Sequence, residues 1–241
     1  KKSKYLLCLA ALVIAFNIAI NMMEIIWKDQ VKLLYPHPND FNAYMGKVLR
    51  AIGVLSTFIG FFLCSSMIRR LGWTFSALIT PIIILITGAL FFGMLLLKDH
   101  ELISTYTTMV GLTPLALGVL FGTLQNTITR SSKYTLFDAT KEIAFIPLSP
   151  ESKLKGKAAI DGIGSRIGKS GGSFVYQALL MTFGTITMSA PFVGIFLSLV
   201  IFGWIAAAKS LGKQFHHLTT QNEQLDIGVE PPTSSSDGLR T

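Results

Sequence analysis

"GIGSRIGKSGG", residues 162–172, sets an Arg and a Lys among closely spaced glycines. A phosphate-binding loop reads G-x-x-x-x-G-K-[ST], follows a β-strand and wraps phosphates in backbone N–H groups. Gly168, Lys169 and Ser170 supply the second half of that pattern. The first glycine belongs at position 163, which is Ile163, and Gly162 stands one place early. The preceding "SKLKGKAAID" suits a helix start and has no β-branched run to mark a strand. The loop reading is weak.

As a helix the stretch makes sense. Gly164, Gly168 and Gly172 repeat every four residues, giving one smooth face on which a second helix can approach closely. Ile160, Ile163, Ile167 and Phe174 fall roughly opposite, free to meet lipid or core, and Asp161, Ser165, Arg166, Lys169 and Ser173 occupy the arc between. A cation in a membrane helix costs about 2.5–3.5 kcal/mol on insertion scales and is normally kept for a pathway or a partner. The glycines predict packing. Arg166 and Lys169 predict an anionic ligand.

Composition says that this helix lies in a membrane. Of 241 residues 51% are hydrophobic and 14% charged, and the mean hydropathy is +0.55, too apolar for an ordinary soluble domain. Tyr5–Met23, Ala51–Ile68, Trp73–Leu97 and Met109–Thr129 hold no charged residue, and each is long enough, or nearly so, to cross roughly 30 Å of hydrocarbon. Ser170–Ala208 is also uncharged but as one helix would run about 58 Å, so it is expected to fold back at "SAP", residues 189–191. The fold class is therefore an all-α membrane protein with six transmembrane helices, expected near 5–27, 49–68, 73–97, 107–130, 158–185 and 190–213.

Six spans place both termini on one side. Of the 21 Lys and Arg residues only Lys28, Lys32, Lys47, Arg50 and Lys98 fall on the other, so the positive-inside rule puts both termini in the cytoplasm. The net charge of +8 follows from that topology, and no nucleic-acid partner is needed to explain it. Cys8 and Cys64 lie in apolar spans, where thiols pack as small hydrophobes, and no disulfide is inferred. His37, His100, His216 and His217 fall in loops without metal-ligand spacing. With no nucleophile beside a base, neither an enzyme nor a cofactor is expected.

Polar residues continue into the apolar spans. Asn17, Asn21, Glu24 and Lys28 follow at i, i+4, i+7 and i+11, one face of a helix. Glu24 and Lys28 can be an interfacial i,i+4 pair with Trp27 as a belt residue; the two deeper Asn favour an internal aqueous path. Gln125 and Asn126 lie inside the fourth span, where the amides can bond neighbouring helices. Arg130 and Lys133 follow at its cytoplasmic end, where positive-inside charge is the simplest account.

The organisation expected is a six-span unit over 1–218, with a cytoplasmic linker about 131–157, and a disordered tail over 219–241. In the linker Tyr134, Phe137 and Ile143 suggest a short amphipathic helix stopped near Pro147, and Ser149-Pro150 opens the next helix. The tail carries "EPPTSSSDG", polar and rich in Pro and Ser. The chain starts directly on a full-length span and is expected to be part of something larger.

"NMMEIIWK" at 21–28, "RRLGW" at 69–73, "LQNTITRSSKYTLFDATKEIAFIPL" at 124–148, "KGKAAIDGIGSRIGKSGG" at 155–172 and "AAAKSL" at 206–211 resemble the ATP/ADP translocases of obligate intracellular bacteria and plastids. The resemblance covers residues 5 to about 218 and is most specific from Lys133 to Gly172. It implies a major-facilitator-like architecture of about twelve spans, of which this chain supplies the C-terminal half. "RRLGW" lacks the acidic residue usual before the basic pair of the facilitator-type loop motif, so that correspondence is loose. Glu24 and Lys169 match two functionally important intramembrane charges of the family; those of the other half are absent here.

The resemblance implies uptake of ATP in exchange for ADP through a bilayer, and charge balance in that exchange adds phosphate leaving beside ADP as an expectation. The membrane implied is the inner membrane of an intracellular bacterium rather than a plastid envelope. The substrate-binding set is then Glu24, Lys28, Asn17, Asn21, Gln125, Asn126, Arg166 and Lys169: cations for the polyphosphate, amides for ribose or base. Its partner is the missing N-terminal six-span half. The alternatives are a proton-driven nucleotide importer with Glu24 as proton carrier, or a membrane subunit that transports nothing.

Overall fold

In hydrocarbon a backbone must satisfy every N–H and C=O within its own segment, so long apolar runs become helices. The computed structural model describes residues 2–97, 100–101, 107 and 111–226, and among these there is no strand. The main helices are α1 (Lys2–Leu34), α2 (Pro38–Phe58), α3 (Ser65–Leu97), α4 (Pro114–Ser132), α5 (Asp138–Ala144), α6 (Pro150–Lys157), α7 (Ser165–Phe183) and α8 (Ile186–Asp226). Three π-helical segments join some of them without a break: Ile59–Cys64, Lys133–Phe137 and Ala158–Gly164.

Contacts along α1 give the direction of each rod. Trp27 meets Gly122, Phe16 stacks on Phe137 at 4.3 Å, and the Tyr5 hydroxyl donates to the Ala144 carbonyl at 2.6 Å. The rod made of α4, its π segment and α5 therefore runs antiparallel to α1. Leu6 meets Gly156, Ile14 meets Gly164 and Ile18 meets Gly172, so α6 and α7 run parallel to it. Trp204 of α8 lies edge-on to both Phe16 and Phe137, at 5.6 and 5.7 Å. Phe16, Trp204, Tyr5, Trp27 and Phe91 are among the largest fully buried side chains. Each of these rings removes 150–250 Å² from its surroundings, which makes α1 the axis of the bundle.

Among the described residues four helices are long and apolar enough to cross a membrane: Lys4–Leu34, Pro38–Phe62, Ser66–Leu97 and Met188–Gln221. The chain is a multi-pass membrane protein. The two 19-residue helices α4 and α7 are not among the four. Each carries polar groups that lower its hydropathy: Gln125, Asn126, Thr129 and Arg130 on α4, and Arg166, Lys169 and Ser173 on α7.

Several boundaries differ from the sequence reading: α1 runs on to Leu34, α2 begins at Pro38 rather than near 49, and α4 begins at Pro114. The fourth rod does not stop at 130 but passes through its π segment and α5 to Ala144, packed along α1. Arg130 is thus in mid-rod. The reversal expected at Ser189–Pro191 lies earlier, at Gly184, whose φ of 75° a residue with a Cβ rarely adopts. Pro191 lies inside α8 instead. At the tail, α8 runs on to Asp226, and residues 227–241 lie outside the described residues, as do 108–110 in the expected fourth span. The turn within "RRLGW" is where expected: Gly72, with φ 78° and ψ 167°, breaks α3 so that its first turns extend the second rod and the rest returns.

Candidate functional site

The stripe on α1 lies between α4 and α7, which decides its surroundings. On the α4 side the Glu24 carboxylate is held by two cations. One oxygen is 2.7 Å from Lys28 Nζ and the other 2.6 Å from Arg130 Nη2. The side chains are 20%, 42% and 24% exposed respectively. One carboxylate against two cations leaves the cluster with a net positive charge. The buried Nε of Arg130 has no hydrogen-bond partner, so the guanidinium is only partly satisfied.

On the α7 side the Asn21 amide nitrogen donates to the Lys169 carbonyl at 2.6 Å and to Ser173 Oγ at 2.8 Å. These bonds fix α7 beside the stripe. Its glycines do the rest: a Cβ on Gly168 would lie 2.7 Å from Asn17 Cβ and 2.8 Å from the Ile14 carbonyl oxygen. The face expected to be smooth is the face that packs. Ile163, Ile167 and Phe174 point outward at 54–75% exposure. Ile160 is buried. Arg166 and Lys169 are exposed and make no ion pair among the described residues.

The eight residues of the expected site thus divide. Glu24 and Lys28 meet, Asn21 joins α1 to the backbone of Lys169, and the Arg166 and Lys169 side chains are exposed on α7. Asn17, Gln125 and Asn126 are buried between helices. Asn17 donates to its own helix at Val13 O. Gln125 donates to Met23 Sδ at 2.7 Å and Thr129 Oγ1 at 3.0 Å, which leaves its Oε1 without a partner. Trp27, for which a belt position was the alternative, is 1% exposed and donates to Thr123 Oγ1 at 3.0 Å. Tyr44 reaches the same hydroxyl at 2.6 Å.

Arg130 is the residue that sequence reasoning missed. A signal existed: Gln125, Asn126, Thr129 and Arg130 make a polar run at helical spacing, continued by buried Ser131, Ser132 and Thr135. A helix end in water has no reason to bury polar residues in this way.

Toward the Tyr5 end of the bundle a second charged group joins the fourth and fifth rods. Lys141 lies 2.9 Å from Asp161 and 3.7 Å from Glu142, and Lys157 lies 2.5 Å from Glu142. The hydrogen bond that the Lys157 ammonium donates to the Glu142 carboxylate pushes its pKa above the usual lysine range. These pairs tie α5 to α6 and to the π-helical segment Ala158–Gly164 across the turn at 145–149.

Half-exposed charges cannot face hydrocarbon without the insertion cost given above. The face shared by α4, α1 and α7 must therefore meet water or protein. Lys28 and Arg130 outnumber the one carboxylate of Glu24 there, and Arg166 and Lys169 add exposed positive charge on α7.

Residues 1–215 match the model of a transporter family, described as TLC ATP/ADP transporter. Over 223 residues the chain is 45% identical to ADP,ATP carrier protein 1 of Chlamydia trachomatis, covering 92% of this chain and 42% of that one. It is 40% identical over 232 residues to ADP,ATP carrier protein 2, chloroplastic, of Arabidopsis thaliana, covering 96% and 37%. It is also 40% identical over 228 residues to the plastidic ATP/ADP-transporter of Solanum tuberosum, covering 95% and 36%. The chain thus spans about two-fifths of the length of the curated relatives it matches. No solved structure matches it. The matched stretch takes in the glycine-packed cationic helix and the Glu24 cluster alike, and the chain belongs to the TLC ATP/ADP transporter family.

Proposed function

We propose that this chain is the C-terminal, six-span half of a major-facilitator-like carrier that imports ATP in exchange for ADP. The observation that carries the reading is the cationic face of α4, α1 and α7, in a chain whose relatives bear the names of ADP,ATP carriers. Lys28, Arg166 and Lys169 hold the polyphosphate chain, while Asn21 fixes α7 beside the α1 stripe. Facilitator-type sites lie between two halves, so the N-terminal six spans complete the path. The alternating rod directions support an even number of spans with both termini on one side, and the Lys and Arg distribution supports the cytoplasm as that side. The higher identity to the chlamydial carrier than to the plastid ones supports a bacterial inner membrane.

Exchange raises a question of charge. Free ATP carries one more negative charge than free ADP, so a one-for-one swap moves negative charge inward against an inside-negative potential. That costs about 2.3 kcal/mol per 100 mV, a bias of roughly fiftyfold against uptake. A phosphate ion leaving with ADP removes the bias, and the free cations Arg166 and Lys169 accommodate it. In proteoliposomes holding ADP, internal phosphate is expected to raise ATP uptake, and an imposed potential to matter little. Uptake that follows the potential and ignores internal phosphate would mean a bare nucleotide swap.

A further inference from the structure

Arg130 has no role in the site as read from sequence, yet its position is unusual in three respects. It lies in the middle of a continuous rod, flanked by buried Thr129 and Ser131. Its guanidinium makes one close ion pair, Nη2 to Glu24 Oε2 at 2.6 Å, while its buried Nε has no partner. A guanidinium presents five donors in a planar fork suited to two oxygens of one anion, and this one is held at a single corner. A structural pair buried for stability would be expected to satisfy the fork, because each unsatisfied buried donor is costly. Glu24 is moreover shared: its second oxygen belongs to Lys28 at 2.7 Å.

We propose that Arg130 is a phosphate-binding residue of the transport path, and that the Glu24 carboxylate and a phosphate oxygen compete for its guanidinium. The inference rests on the exchange reading and names the residue that grips the polyphosphate from the α4 side. Phosphate oxygens offer the bidentate geometry that Glu24, held on its other side by Lys28, does not complete. When phosphate displaces it, the carboxylate keeps Lys28 as a partner, so no charge is left alone in a site of low dielectric. Glu24 thereby limits how tightly the polyanion is held, and a carrier must release what it binds.

Competition and mere structural pairing predict different signs. Binding of inorganic tripolyphosphate to the purified full-length carrier, measured by calorimetry, reads the anion site without the nucleoside. Arg130→Gln is expected to weaken binding roughly tenfold to a hundredfold, the range of a lost charge-assisted hydrogen bond. Glu24→Gln, which removes the competitor, is expected to tighten it. The double variant, neutral on both sides and nearly unchanged in shape, keeps the helices in place and is expected to bind more weakly than wild type. If Glu24→Gln and Arg130→Gln move the affinity in the same direction, or if neither moves it, the pair is structural and the proposal falls. It also falls if the wild-type carrier does not bind tripolyphosphate. A wild type that binds tripolyphosphate but fails to exchange ATP for ADP in vesicles sinks the exchange reading and leaves the anion site standing.

Discussion

Replacing Lys169 with Gln in the full-length carrier is expected to leave the protein folded, at normal abundance in the membrane, and nearly unable to take up nucleotide. The side chain is exposed and makes no ion pair among the described residues. Only its backbone carbonyl is engaged, by Asn21, and Gln keeps that carbonyl. Nothing in the packing of α7 depends on the ammonium group. A charge-assisted hydrogen bond to substrate is worth about 1.5–3 kcal/mol, so its loss is expected to lower kcat/KM for ATP roughly ten- to 150-fold. Uptake of labelled ATP, normalised to the amount of carrier, checks it. Wild-type uptake by Lys169→Gln removes Lys169 from the site.

Gly168→Leu, one residue away, is expected to fail in the opposite manner, by losing the fold. Even a bare Cβ would sit 2.8 Å from the Ile14 carbonyl oxygen and 3.3 Å from its Cα. Those are backbone atoms of the central helix and cannot turn aside as a side-chain end can. Ordinary overpacking costs about 1–3 kcal/mol; here whole helices must separate, with loss of the Asn21 bonds to α7 as well. The fraction of detergent-extracted carrier that runs as a monodisperse species is expected to fall severalfold or more. Gly171→Leu is the control, since a Cβ there has no neighbour within 4 Å. Equal losses in both variants would show that the glycine stripe is not the packing face.

The contrast between these neighbours is legible in the sequence, since periodicity alone separates the glycine face from the cationic arc. The long spans are legible for the same reason: an uncharged run of sufficient length leaves few alternatives. Gly72 is also legible, as a glycine between two apolar runs. The course of residues 131–144 is not. Lys133, Asp138, Lys141 and Glu142 give the segment the polarity of a solvated linker, but each finds an ionic partner, and Phe137 and Ala144 are buried against α1. Hydropathy sums over a window and does not see which side of a helix a charge is on.

The same blindness hid Arg130. With the fourth span ended at 130, the residue became a charge at the water boundary, and Glu24, on another span, had only Lys28 in reach. Pairing between residues so far apart in sequence depends on how two helices are staggered, which no local pattern encodes. The reversal lies at Gly184 rather than at the proline, the stronger punctuation in a sequence, because Pro191 is tolerated near the start of α8 and Gly184 takes a positive φ. Of the amides, only Asn21 is seen joining α1 to α7. Asn17 and Gln125 spend their donors within the bundle.

Nucleotide exchange is tested by ATP uptake by the full-length carrier in vesicles whose contents are chosen. Labelled ATP should enter vesicles loaded with ADP, with labelled ADP leaving at a matching rate. Vesicles without internal nucleotide should take up almost none, whether or not a proton gradient is imposed. Uptake into nucleotide-free vesicles driven by that gradient would show a proton-coupled importer, and the exchange account would be wrong.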